Sequence, residues 1–404
     1  MSEHPLLRGL NPDQARAVQQ LEGPLLILAG AGSGKTRVLT RRIAYLLDTR
    51  PDVAAWNVLA VTFTNKAAAE MKERLHQLVG ESSKKLWLGT FHSICLRILR
   101  QDIEPLGFTR DFAIWDDDDQ LRVLKEILKD RSIGANPKEH TPQNLRGAID
   151  RAKNERRAPE LLRLPPSDPT PKVYKAYEQR LRAANALDFN DIIGRVIELW
   201  ELSPEILVKW QRRFQYMMVD EYQDTNPAQF QWLRLLVGDG VDAYGNPRPQ
   251  NLAVVGDDDQ SIYSFRGADI RNILDFEKVF PDATVVKLEQ NYRSTGTILK
   301  AASGVVRLNR DRKDKTLWTS EPGGEPLRLV QGTDEQDEAS KVVGEIRRQL
   351  RHYRPADFAI IFRTNSYSRP FEQALSAAQI PYVLVGGRRF YERREVRDVM
   401  GLSR

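Results

Sequence analysis

Short, unbroken apolar runs separated by amphipathic stretches set the pattern of this chain. Leu25–Leu28, Val58–Phe63, Leu86–Leu88, Tyr216–Val219 and Leu252–Val255 are apolar at consecutive positions rather than at alternate ones, with Thr62 the exception. Successive strand residues face opposite ways, so such runs predict strands covered on both faces, in a mostly parallel sheet flanked by helices. Each run ends in a polar cluster, and ligands of open α/β sheets bind at the carboxyl ends of the strands. From about Asp102 to Arg213 the pattern turns helical, as in Leu121–Leu128, with a proline-rich stretch around Leu164–Lys172. That region reads as a helical insertion. A second α/β unit is expected to start near Ala283, with strands at Thr284–Leu288, Leu327–Val330, Phe358–Phe362 and Tyr382–Val385 and a helix at Glu335–Leu350. The division is then 1–101 and 214–281 for the first domain, 102–213 for the insertion and 282–404 for the second domain.

Chemistry enters directly after the first apolar run. Ala29-Gly30-Ala31-Gly32-Ser33-Gly34-Lys35-Thr36 is a glycine-rich turn between a strand and a helix. Its backbone N–H groups can cradle phosphates, Lys35 can reach the β and γ oxygens, and the Thr36 hydroxyl can hold Mg²⁺. The helix expected from Lys35 adds its positive dipole end. A nucleoside triphosphate and Mg²⁺ are therefore the expected ligands. A second cluster, Asp220-Glu221-Tyr222-Gln223-Asp224, follows Tyr216–Val219. Asp220 would hold Mg²⁺ and Glu221 would polarise the attacking water. Alone, such an acidic pair is more often a helix cap or a solvated turn. A third cluster runs from Gly256 to Gly267, with Asp257, Asp258, Asp259 and Gln260 ahead of Tyr263, Phe265 and Arg266. Gln260 could bond the γ-phosphate or the water. Two aromatics beside a cation suit base stacking with a phosphate contact, although burial in the core is the competing reading.

Composition narrows the rest. The chain has 404 residues, 61 basic against 55 acidic, a net charge of +6 and one cysteine. The charge permits nucleic acid without implying it. A lone cysteine excludes an internal disulfide, and Cys95 in the apolar stretch Ile94–Leu99 reads as buried. No apolar run is long enough to span a bilayer and the first residues lack the order of a secretion signal, so a soluble cytoplasmic protein with no membrane partner is expected. Asp116–Asp119 reads as a helix cap ahead of Gln120–Lys129 rather than a metal site, and Asn65 as a cap of Lys66–Leu78.

Taken in order, the motifs resemble superfamily 1 DNA helicases of the UvrD/Rep/PcrA type. They are Asn11–Gln14, the phosphate loop, Thr62–Ala68, Gly89–Ser93, Leu187–Phe189, Asp220–Asp224, Gly256–Gly267, Gln290-Asn291-Tyr292-Arg293-Ser294 and Gly386–Tyr391. The resemblance implies two RecA-like P-loop NTPase domains with ATP in the cleft between them, the first carrying the helical insertion. It implies 3′→5′ translocation on single-stranded DNA, unwinding at single/double-strand junctions, and repair or replication proteins as partners. By the same resemblance Gln14 reads the adenine edge, Tyr292 stacks on the base, Arg37 lies near the nucleotide, and Arg293 is an arginine finger from the second domain. Phe63, Asn65, His92, Phe189, Tyr263, Phe265 and Arg266 would line the DNA track. On local sequence alone, Phe63 reads as a core aromatic and His92 as a core or capping side chain. Phe265 stands where close relatives usually carry tryptophan, which implies a weaker stacking step. The family's later motifs are missing, so the second domain is expected to be incomplete and the chain a fragment, a truncated form or one piece of a split protein. A further C-terminal polypeptide would then complete it. Two other readings are the motor part of a recombination-type helicase–nuclease and an ATP- and DNA-binding module without turnover.

Overall fold

A computed structural model describes residues 4–136, 139–310, 312–321 and 323–385, apart from the side chains of Arg131 and Arg266. Eight strands are present among them: β1 (Leu25–Ala29), β2 (Val58–Thr62), β3 (Trp87–Thr90), β4 (Ala113–Trp115), β5 (Ala186–Asp188), β6 (Tyr216–Val219), β7 (Leu252–Gly256) and β8 (Thr284–Leu288). Six form one sheet in the order β3-β2-β6-β7-β1-β8, every pairing parallel. The α/β class expected from the apolar runs is the class observed.

The two-faced burial follows from the pleat. Leu26, Leu28, Leu59, Val61, Met217, Val219 and Val254 enter one core, and their neighbours Leu25, Ile27, Val58, Ala60, Met218, Ala253 and Val255 enter the other. Helix Phe91–Asp102 closes the first face with Phe91, Ile94, Cys95, Ile98 and Leu99. Helix Lys35–Thr49 closes the second with Val38, Leu39, Ile43 and Leu46. Because all six strands run the same way, their carboxyl ends share one edge of the sheet. The site is assembled there.

The helical region has its own core of Leu124, Ile127, Leu145, Ile149, Val173, Tyr177 and Leu181, beside the small parallel ladder of β4 and β5. Its last two helices, Asp191–Leu202 and Pro204–Arg213, instead bury Ile192, Val196, Trp200, Leu207 and Trp210 in the core of the main sheet. Asp116 caps helix Asp117–Ile127, accepting from the N–H groups of Asp118 and Asp119 at 2.9 Å, and Cys95 is buried. Asn65 does not cap its helix: Thr64 is the cap, its Oγ1 accepting from Ala67 N at 3.1 Å, and Asn65 is the first helical residue.

The chain divides into two compact units, 1–324 and 325 onward. Thr284–Leu288 was expected to open the second domain. It is the sixth strand of the first sheet, paired from Leu25↔Thr284 to Ala29↔Leu288. The apolar pattern that announces a strand does not say which neighbour it joins. In the second unit, helices Glu335–Gln349 and Ser368–Ala377 pack through Val343, Ile346 and Leu375, with Phe358, Ile360, Ile380 and Tyr382 against them. Leu327–Val330, Phe358–Phe362 and Tyr382–Val385 form no ladder among the described residues. Leu329 and Ile361 are more than nine-tenths exposed. An isolated parallel strand has no backbone partners to satisfy it, so apolar character alone does not make one. Gly386–Tyr391 and the helix expected at Glu392–Met400 lie outside the described residues.

Candidate nucleotide and nucleic-acid site

The turn after β1 holds its shape through glycine. Gly32 and Gly34 adopt φ of +69° and +89°, a region that side chains disfavour. A Cβ on Gly32 would lie 2.7 Å from both Asn291 Nδ2 and Arg293 Cβ, so that close approach also demands glycine. Ala29 and Gly30 are buried, Ala31 half-buried, and Ser33 Oγ donates to Gly30 O at 2.7 Å. Lys35 and Thr36 open the following helix, as the loop requires.

Across the turn, β6 delivers its acidic pair. Lys35 Nζ lies 2.7 Å from Glu221 Oε2, and Gln223 Nε2 donates to that same oxygen at 2.8 Å. Glu221 sits at φ +50°, a rare conformation for a residue with a side chain, where the chain turns sharply off the strand. Asp220 is buried, its Oδ1 accepting from Glu221 N at 3.0 Å. Burial, and then the Glu221 charge, push its carboxyl up to about 6, with Lys35 opposing. Two hard oxygen groups, the Asp220 carboxylate and the Thr36 hydroxyl, suit Mg²⁺. A buried carboxylate that resists ionisation is relieved by such an ion, so these residues fit the expected cofactor.

Gln260 reaches this cluster through Asp257: Gln260 Nε2 donates to Asp257 Oδ2 at 2.5 Å, and Asp257 N donates to Gln223 Oε1 at 3.0 Å. Gln14 is almost fully buried and works within the loop, its Oε1 accepting from Asn11 N at 3.1 Å and its Nε2 donating to Ser33 O at 2.8 Å. An amide keeps one N–H and one lone pair after those bonds. Arg37 is exposed and donates to Gly9 O at 2.9 Å.

Tyr292 and Arg293 follow β8 of the main sheet and lie against the loop within the first compact unit. Tyr292 N donates to Gly32 O at 3.0 Å and Asn291 Nδ2 to Ala31 O at 2.6 Å. Asn291 Oδ1 accepts from Arg293 N and Ser294 N at 2.9 and 2.7 Å, a side-chain turn that folds the segment over the loop. Tyr292 OH also accepts from Asn11 Nδ2 at 2.9 Å.

The aromatic candidates gather at the ends of β2 and β3. His92 and Phe189 stack with ring centroids 3.8 Å apart and planes 18° apart. Phe63 lies 5.1 Å from Tyr263, which lies 5.9 Å from Phe265. Phe63, His92 and Phe189 share a cavity of about 420 Å³ that also takes in Asp150, Asn190 and Asp224. Phe189 and Phe265 are exposed, although both are large and apolar. Burial drives the His92 imidazole down to about 4, so the ring is neutral near pH 7. Asn65 is exposed at the start of its helix beside Phe63. Arg266 lies in the turn Ser264–Arg266, its side chain outside the described set.

Several participants carried no role in the sequence reading. Gln223 and Asn291 lay inside recognised motifs, where only their neighbours had evident chemistry. Asp150 and Asn190 had no evident role in the sequence, because they meet each other across 40 residues of chain.

Residues 10–281 match the UvrD/REP helicase N-terminal domain and residues 286–404 the UvrD-like helicase C-terminal domain. The chain is 48% identical over 404 residues to the ATP-dependent DNA helicase PcrA of Staphylococcus aureus (strain Mu50), covering 99% of this chain and 54% of that protein. It is 47% identical, with the same coverage, to the PcrA helicase of Staphylococcus epidermidis (strain ATCC 12228). The chain thus spans about half the length of these relatives. Among the described residues no helix is long and apolar enough to cross a membrane. With both family domains matched over almost its whole length, the chain belongs to the UvrD/Rep helicase family.

Proposed function

We infer that this chain carries the ATP-hydrolysing and single-strand-binding machinery of an ATP-dependent DNA helicase. The observation that carries this is the shared edge of the sheet. The Lys35–Glu221 pair stands at the ends of β1 and β6, and the aromatic pairs His92–Phe189 and Phe63–Tyr263 stand at the ends of β2 and β3.

ATP is the substrate in this reading. Its phosphates compete with Glu221 for the Lys35 ammonium, and that exchange releases the Glu221 carboxylate to accept the proton of the attacking water. Gln223 Nε2 keeps the released carboxylate oriented. Gln260 contacts the γ-phosphate or the water, and Arg293 reaches the γ-phosphate as an arginine finger. Tyr292 stacks on the adenine, Gln14 reads its edge with the remaining N–H and lone pair, and Arg37 lies beside the nucleotide. Thr36 and Asp220 would hold Mg²⁺, which when bound would supply positive charge at the phosphates. Phe63, Asn65, His92, Phe189, Tyr263, Phe265 and Arg266 line the single strand. Translocation in the 3′→5′ direction, unwinding at junctions, and service in DNA repair or replication belong to the same proposal.

ATP hydrolysis measured with and without an oligothymidylate tests it, beside Glu221→Gln. Stimulated turnover should fall by about 10²–10⁴ in the variant, the usual contribution of a general base, with ATP affinity kept. Unchanged turnover would remove Glu221 from the reaction. Binding of both ligands without turnover in the unaltered chain would reduce the reading to a binding module.

A further inference from the structure

Three consecutive aspartates, Asp257, Asp258 and Asp259, bring carboxylate oxygens within 4.8 Å of one another at the end of β7. Two of them are buried. So much negative charge out of water is costly unless a cation sits among it. The cation is Lys315. Its Nζ lies 3.0 Å from Asp257 Oδ1, 2.5 Å from Asp258 Oδ1 and 2.6 Å from Asp259 Oδ2, and its side chain is 2% exposed. Burial works against the ammonium, but the three carboxylates outweigh it and hold the proton more firmly than usual. The segment around it adds further ties. Arg312 Nη2 pairs with Asp259 Oδ2 at 2.9 Å, and Lys313 N donates to Asp258 Oδ2 at 2.7 Å.

What hangs on this cluster makes it more than packing. Asp257 gives one oxygen to Lys315, accepts from Gln260 Nε2 with the other, and donates its N–H to Gln223 Oε1. Gln223 in turn holds Glu221 through Nε2, and its backbone carbonyl accepts from Ser261 Oγ at 3.3 Å. Two residues beyond Ser261, Tyr263 packs on Phe63. An unbroken chain of polar contacts therefore runs from Lys35 through Glu221 and Gln223 to the turn that carries the aromatic step.

We propose that Lys315 is a positioning residue that pins the Asp257–Gln260 turn and thereby couples the nucleotide end of the site to its DNA end. Lys315, enclosed by the aspartates, acts through them. It neutralises the aspartates so that Asp257 can hold Gln260 and Gln223 in one arrangement, and the Tyr263–Phe265 segment keeps its place relative to Glu221. The coupling part rests on the functional reading above; the pinning part does not.

The test is Lys315→Met in the full chain, read in two ways. Backbone hydrogen exchange of peptides covering 257–265 should rise by about tenfold or more, while peptides covering 25–40 stay unchanged, since a locally released segment opens without global unfolding. Unchanged exchange at 257–265 would overturn the pinning. Anisotropy of a fluorescein-labelled oligothymidylate, with and without AMPPNP–Mg²⁺, gives the factor by which nucleotide alters DNA affinity. In Lys315→Met that factor should collapse towards one while AMPPNP affinity stays within about twofold, a split that a merely structural lesion would not produce. A factor as large as in the unaltered chain would overturn the coupling. Arg312→Ala removes only the outer cation; it should shift both readouts the same way by less, and it serves if Lys315→Met does not fold. If the unaltered chain bound neither ligand, the functional reading and the coupling would fall together, while the exchange measurement would still decide the pinning.

Discussion

At Asp220, burial and the adjacent Glu221 charge push the carboxyl up to about 6, well above the usual carboxylate value. Between the usual value and 6 the folded chain binds the proton more tightly than the unfolded chain, so this group's contribution to stability falls as pH rises through that window. A divalent cation reverses the cost by favouring the ionised form. The rise in melting temperature given by AMPPNP–Mg²⁺ should therefore be full at pH 7.5 and shrink towards pH 5. Asp220→Asn should show little rise at either pH, and a pH-independent rise in the unaltered chain would take Asp220 out of the metal site. His92 has the opposite sign. Its depressed value means stability that is present above its usual pKa and lost as pH falls towards 4. Being neutral near pH 7, it offers a stacking face rather than a charge. Phe189→Ala exposes that face, and oligothymidylate binding should weaken by about 1–3 kcal/mol with ATP affinity unaffected. Equal DNA affinity would remove Phe189 from the track. Lys35 and Glu221 were legible in the sequence because their spacing to a strand announces their chemistry. Lys315 was not, because its partner Asp258 is 57 residues away and nothing beside Lys315 hints at it.

The element that places Phe189 depends on a buried ionic cluster. Lys153, on helix Pro142–Asn154, puts Nζ 2.6 Å from Asp188, 2.9 Å from Asp191 and 2.8 Å from Glu178. Those carboxylates come from β5, helix Asp191–Leu202 and helix Thr170–Ala183, so one ammonium ties four elements together. Burial opposes the charge of Asp191, yet Lys153 and Arg195 beside it hold it ionised below the usual range. Tyr177 OH donates to Asp188 Oδ2 at 3.1 Å and completes the cluster. Lys153→Met leaves Asp188 without a cation and leaves Asp191 and Glu178 with Arg195 alone, and breaking a buried pair in this way costs about 3–5 kcal/mol. Urea unfolding should show that loss, together with weaker oligothymidylate binding through a displaced Phe189. A loss below about 1 kcal/mol, the range of an exposed pair, would show the cluster to be solvated. Helical periodicity made these helices visible in the sequence. Which of them belonged to the insertion's own core was not visible, since Asp191–Leu202 shows an apolar face without naming its partner.

Over the whole molecule, the six-stranded parallel sheet decides what can meet. It collects the loop at Gly30–Gly34, the carboxylates at Asp220 and Glu221, the Asp257–Gln260 turn and the Gln290–Ser294 segment at one edge, although they are spread over more than half the chain. The sequence by itself determined the strands of the central sheet, the phosphate loop and the acidic pair. These rest on local chemistry: consecutive apolar residues, glycines where φ must be positive, and side chains a fixed number of residues beyond a strand. Only the tertiary structure decided that Thr284–Leu288 joins β1 and brings Arg293 onto the loop from the same compact unit. It alone decided that Phe358, Ile360 and Tyr382 pack on helices while their segments form no ladder among the described residues, and that Lys315 is the cation for three distant aspartates. Hydrophobicity and charge are properties of single residues, whereas strand partners and counter-ions are chosen by which surfaces the folded chain brings within a few ångströms.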